Sequence, residues 1–85
     1  MHKRATYDMA VGLALRELQN EHHTMRERIA EALEVTDLGV TRIETGEEPL
    51  TAGGVVLLLN LFNISWEAFL ERVQRHLPEA ESEML

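Results

Sequence analysis

The stretch from Met25 to Gly46, MRERIAEALEVTDLGVTRIETG, constrains this chain more than any other. Its apolar or small side chains fall at Ile29, Ala30 and Leu33, then at Val35, then at Val40 and Ile43. Helical spacing puts the first three on one face of a short helix and the last two on one face of another. Val35 is expected to plug the corner between them. Ala30 is expected where the two helices cross most closely, because a larger side chain there would push them apart.

Two short helices crossing steeply over a three- or four-residue turn form a helix-turn-helix unit, whose second helix can enter a DNA major groove. The flanking sequence provides the rest of a core. Thr6 is an N-cap candidate for a first helix running to about His22, with Met9, Leu13 or Leu15, and Leu18 as its apolar stripe. Gly12 in mid-helix costs roughly 1 kcal/mol relative to Ala, which points to close approach of another backbone. Thr24-Met25-Arg26-Glu27 has the form of a capping box. Thr36 is the N-cap candidate for the third helix, and Asp37 suits the positive end of its dipole. Gly46 should end that helix in a left-handed conformation, with Pro49 shortly after. Thr51 should cap a fourth helix to about Phe62, Asn63 should close it, and Ser65 should cap a fifth that Pro78 ends. The basic start, residues 1–5, and the acidic tail Glu79–Leu85 are expected to be mobile. The fold class is thus all-α with five helices, in one domain covering residues 1–85.

Composition narrows the chemistry. At 85 residues the chain can bury one core, but not also an enclosed cavity for a sizeable substrate. With no Cys there is no thiolate nucleophile and no Cys-based zinc site. His22-His23 and His76 lack metal-ligand spacing, since adjacent helical residues do not face each other. Glu47-Glu48 as an acid–base pair lacks a pocket or nucleophile. The reading is of a protein that is not an enzyme and needs no cofactor or metal. No long uncharged apolar run follows MHKRATYD, so neither a leader nor a membrane span is expected and the cytoplasm is the expected location. The net charge of −7 runs against DNA binding in bulk, which makes the charge local to a docking face decisive.

The order of pieces resembles the Cro and phage-repressor type of helix-turn-helix domain, the xenobiotic-response-element family, over roughly Val11 to Leu70. The matching residues are Leu15-Arg16-Glu17-Leu18, then Ile29-Ala30 with Leu33 and Val35, then Val40-Thr41-Arg42-Ile43-Glu44-Thr45-Gly46, and finally Asn63-Ile64-Ser65 before Phe69-Leu70. The resemblance implies a five-helix, lambda-repressor-like fold, homodimerisation and operator binding by helix 3. It also places Arg26 near a phosphate, and Thr36, Asp37, Leu38, Thr41 and Arg42 at base edges. Three positions depart from the pattern: Glu34 stands at the usual turn Gly, Met25-Arg26 replaces Ser-Gln, and Glu47-Glu48 replaces a basic loop.

On such a face Arg42 could donate two hydrogen bonds to guanine, Asp37 could accept from cytosine, and Leu38 could meet a thymine methyl. The plainer roles are capping for Thr36 and Asp37, and ion pairing for Arg42. Gly39 is expected to strip the middle of that face. The run Val55-Val56-Leu57-Leu58-Leu59 is apolar nearly all round, more than one core face requires, so Leu57, Leu61, Trp66 and Phe69 are the dimer candidates. The expected function is a homodimeric transcriptional repressor bound to a palindromic double-stranded DNA operator, with no membrane partner. A dual role with a second regulatory protein is allowed. The alternative is a protein-interaction module (an antitoxin, anti-repressor or accessory factor) that keeps the fold and presents an acidic face to its partner.

Overall fold

A computed structural model describes residues 3–83 and contains five helices and no strand among them: α1 (Lys3–Glu21), α2 (Arg26–Leu33), α3 (Asp37–Glu44), α4 (Ala52–Phe62) and α5 (Trp66–Glu83). The architecture is all-α and compact. One apolar core draws on every helix: Ala14, Leu15 and Leu18 from α1, Ile29 and Leu33 from α2, Val40 and Ile43 from α3, Leu58 and Phe62 from α4, and Phe69 and Val73 from α5. α1 packs most extensively on α5 and also crosses α3, while α2 rests on α3 and α4.

Gly12 is where α1 meets α3. A Cβ there would lie 2.4 Å from the carbonyl oxygens of both Ile43 and Glu44, so only glycine lets the two backbones come this close. The mid-helix glycine is therefore explained by packing, as its position suggested.

The first four helices stop in the same way. Each is followed by a residue at positive φ: His23 (50°), Glu34 (60°), Gly46 (81°) and Asn63 (53°). The amide right after that residue then reaches back five residues, from Thr24 to Gln19, Val35 to Ala30, Glu47 to Arg42 and Ile64 to Leu59. This pattern satisfies carbonyls that the helix itself leaves open.

Helix starts match expectation at three places. The Thr36 hydroxyl accepts from the Gly39 amide and the Thr51 hydroxyl from the Gly54 amide, both at 3.0 Å, and the Ser65 hydroxyl accepts from Ala68 at 3.1 Å. Four expectations need correction. α1 begins at Lys3, so Thr6 lies inside it and residues 3–5 form its first turn. Met25, not Thr24, is the N-cap of α2, because Thr24 is already committed to closing α1; no capping box forms. Val35 is exposed instead of plugging the corner. Pro78 lies within α5, which continues to Glu83 and buries Ala80 completely, so most of the acidic tail is ordered helix. The remaining tail residues 84–85, like residues 1–2 of the basic start, lie outside the described residues.

Candidate nucleic-acid interface

α2 and α3 are joined by Glu34, Val35 and Thr36, a three-residue turn closed by the left-handed Glu34. α3 is anchored through Val40, Ile43 and Glu44, which recur on one helical face and are all buried. The opposite face is therefore turned outward. Leu38 and Arg42 are exposed there, Leu38 to 57%, a large value for an aliphatic side chain, and Asp37 is exposed as the first residue of the helix.

Each candidate on this face has a definite local state. The Thr36 hydroxyl is used as the helix cap. Thr41 is half-buried and its hydroxyl donates to the Asp37 carbonyl at 3.3 Å, which leaves it a minor contributor to any external contact. Asp37, exposed in the first turn, sits where the helix dipole favours a carboxylate. Gly39 does not open the outer face as expected. It is half-buried against the turn, and a Cβ there would sit 3.1 Å from the Cβ of Val35.

The two candidate cations are both engaged within the chain. Arg42 Nη1 lies 3.4 Å from Glu48 Oε1, with both side chains about half exposed. Arg26 Nε donates to Glu44 Oε1 at 3.4 Å, and Arg16 Nε lies 3.6 Å from the other oxygen of the same carboxylate. The Glu44 side chain is only 3% exposed, whereas both arginines reach water. A buried carboxylate thus ties α1, α2 and α3 together through two guanidinium groups. Its position on the inward stripe of α3, one and four residues from Ile43 and Val40, is the sequence signal that would have found it. Among the described residues no ion pair engages Arg28.

The apolar candidates divide. Trp66 is 50% exposed, Leu57 is also exposed and Leu61 is half-buried. Phe69 is 1% exposed and belongs to the core, so it is not available to a partner. The core line of α5 is Phe69, Val73, Leu77 and Ala80, which leaves Leu70 beside it on the surface. Val56 (56% exposed) lies with Trp66 where α4 and α5 meet at a bend of 107°. A shallow apolar depression lined by Ala52, Val55, Val56, Leu59 and Trp66 lies at this corner. No single helix among the described residues is long and apolar enough to cross a membrane.

The histidines have structural neighbours. His22 packs its ring on Phe62 with centroids 5.1 Å apart, and His76 Nε2 lies 3.2 Å from Glu17 Oε2. Comparison of the chain with protein-family models, with curated proteins and with solved structures finds no match.

Proposed function

We propose that this protein is a sequence-specific DNA-binding regulator of the lambda-repressor-like helix-turn-helix type, a homodimeric repressor that lays α3 in the major groove. The observation that carries the reading is the outer row of α3. Leu38 and Arg42 lie one turn apart on the side of a short helix away from its core face, with Asp37 exposed in the first turn; Leu38 is uncovered and Arg42 meets only the exposed Glu48 carboxylate. A carboxylate, an aliphatic group and a guanidinium match three of the four base-edge chemistries of the major groove. Arg26, at the start of α2, is in a position to reach a phosphate by exchanging Glu44 for it.

The exposed Val56 and Trp66, which line one apolar depression, support pairing of two copies. A two-fold dimer would set two α3 helices about 34 Å apart and call for an inverted repeat. With few free cations, binding should fall with salt on a shallow slope.

The direct test is selection of duplexes from a randomised pool by the purified protein, followed by gel-shift titration of the enriched site. Enrichment of an inverted repeat, with a loss of about 1–3 kcal/mol in Arg42→Ala, is the expected result. A pool that stays random at low salt overturns the reading. One observation favours a second reading, a protein-interaction module: Arg26 and Arg42 are both held by carboxylates of the chain itself, beside Glu47 and Glu48. A stable protein partner that survives nuclease treatment, together with a random pool, would select it.

A further inference from the structure

The loop after α3 is folded back on the helix end. The amides of Glu47 and Glu48 both donate to the Arg42 carbonyl, at 2.8 and 3.2 Å, and the Thr45 hydroxyl lies 3.1 Å from the same oxygen. This fixes the backbone of Glu48 beside Arg42, and its carboxylate then reaches the Arg42 guanidinium. Glu47 has the same charge but a different neighbour, the Thr45 hydroxyl at 3.3 Å.

We propose that Glu48 acts as a built-in stand-in for a DNA phosphate: it occupies Arg42 in the free protein and must be displaced before Arg42 can bind a duplex. The inference rests on the DNA-binding reading above and adds a determinant of specificity to it. An exposed ion pair is weak, so it does not block Arg42 outright. It does compete with any single phosphate, which offers one charge in water much as Glu48 does. A guanine edge that accepts two hydrogen bonds in fixed geometry is a stronger competitor. Glu48 therefore suppresses sequence-independent binding more than binding to a matched site, and gives an acidic protein a way to keep one cation for recognition.

The test uses the full chain and a labelled mixed-sequence duplex, titrated across a salt series. Glu48→Gln should bind several-fold more tightly, and its logarithmic salt slope should steepen by about 0.9, the value for one more neutralised phosphate. Glu47→Gln removes the same charge without freeing Arg42, so it should gain less and keep the original slope. Arg42→Ala combined with Glu48→Gln should lose the gain. Equal effects of the two glutamine variants, or a gain that survives without Arg42, overturns the proposal in favour of simple charge repulsion. Weakening by Arg42→Ala with Glu48→Gln unchanged from the parent overturns the proposal alone. No duplex binding by the parent or by Glu48→Gln at the lowest salt overturns the DNA-binding reading, and the proposal with it.

Discussion

Arg72 grips Glu21 through both terminal nitrogens, Nη1 to Oε2 at 2.7 Å and Nη2 to Oε1 at 2.8 Å, while Nη1 also lies 2.6 Å from Glu17 Oε1. One guanidinium on α5 thus clamps two successive turns of α1. Planar two-point pairing of this kind is stronger than a single contact. The α1–α5 contact also keeps α5 helical past Pro78, whose ring would otherwise end it at a cost of about 3 kcal/mol.

The clamp makes the fold sensitive to acid. Hydrogen bonding from Arg72 holds the Glu21 carboxyl below its ordinary value, and the carboxylates hold the Arg72 guanidinium more firmly protonated. A carboxylate whose folded value is depressed stabilises the fold above the unfolded value, about pH 4.3, and loses that contribution as the pH falls through the folded one. Arg72→Met should destabilise the fold near neutral pH, and the difference from the parent should shrink in acid. Urea denaturation of both proteins at neutral and acidic pH measures it. A gap that is constant with pH would mean that the loss comes from packing of the Arg72 stem alone.

Glu44 poses the opposite problem, a buried carboxylate served by two half-exposed cations. Either arginine alone can keep the charge paired. Arg16→Ala or Arg26→Ala should therefore each cost about 1 kcal/mol, but the double variant should cost about 3–5 kcal/mol because it strands the charge. With Glu44→Gln as the background, the same pair of changes should become close to additive. Equilibrium denaturation of the full cycle supplies the coupling.

The glycines make a contrast that tests the helix packing. Gly12→Ala drives a methyl into two backbone carbonyls that cannot step aside, and should cost at least about 3 kcal/mol. Gly53→Ala meets nothing within 4 Å in the first turns of α4 and should stabilise by up to about 1 kcal/mol. Thermal denaturation of the two variants should move the midpoint in opposite directions.

What could be read from the residues was whatever is settled within one turn of the chain. Thr36, Thr51 and Ser65 cap their helices because the hydroxyl and the amide it serves are three residues apart. Thr24 does not cap because both its amide and its hydroxyl turn back to the end of α1, on Gln19 and His22, and the next helix is capped one residue later, at Met25. Pro78 and Ala80 depend on what α1 offers to α5, which no local pattern contains. At the candidate interface, helical period alone told which residues of α3 face outward. That Arg42 pairs with a carboxylate is within reach of the sequence, but that Glu48 is the partner is not, because it follows from how the intervening loop turns back. Phe69 and Leu70 are adjacent, and only the docking angle of α5 decides that Phe69 enters the core and Leu70 stays outside.

The helix stops provide the last test. His23 and Glu34 hold left-handed conformations that cost an L-residue roughly 1 kcal/mol, whereas glycine adopts them freely. Both side chains are exposed, and the Glu34 carboxylate has no ion pair or hydrogen bond among the described residues to lose. Glu34→Gly should therefore stabilise the chain by up to roughly 0.5 kcal/mol, after allowing for the greater freedom glycine gives the unfolded state. His23→Gly should gain less, because the change begins at the same backbone strain but lies next to His22, whose ring packs on Phe62 and needs the end of α1 held still. Glu34→Ala separates the two contributions: it removes the same carboxylate, keeps the Cβ and its strain, and should leave the denaturation midpoint unchanged. A gain in the alanine variant equal to that in glycine would assign the effect to the charge at the end of α2 and not to the backbone.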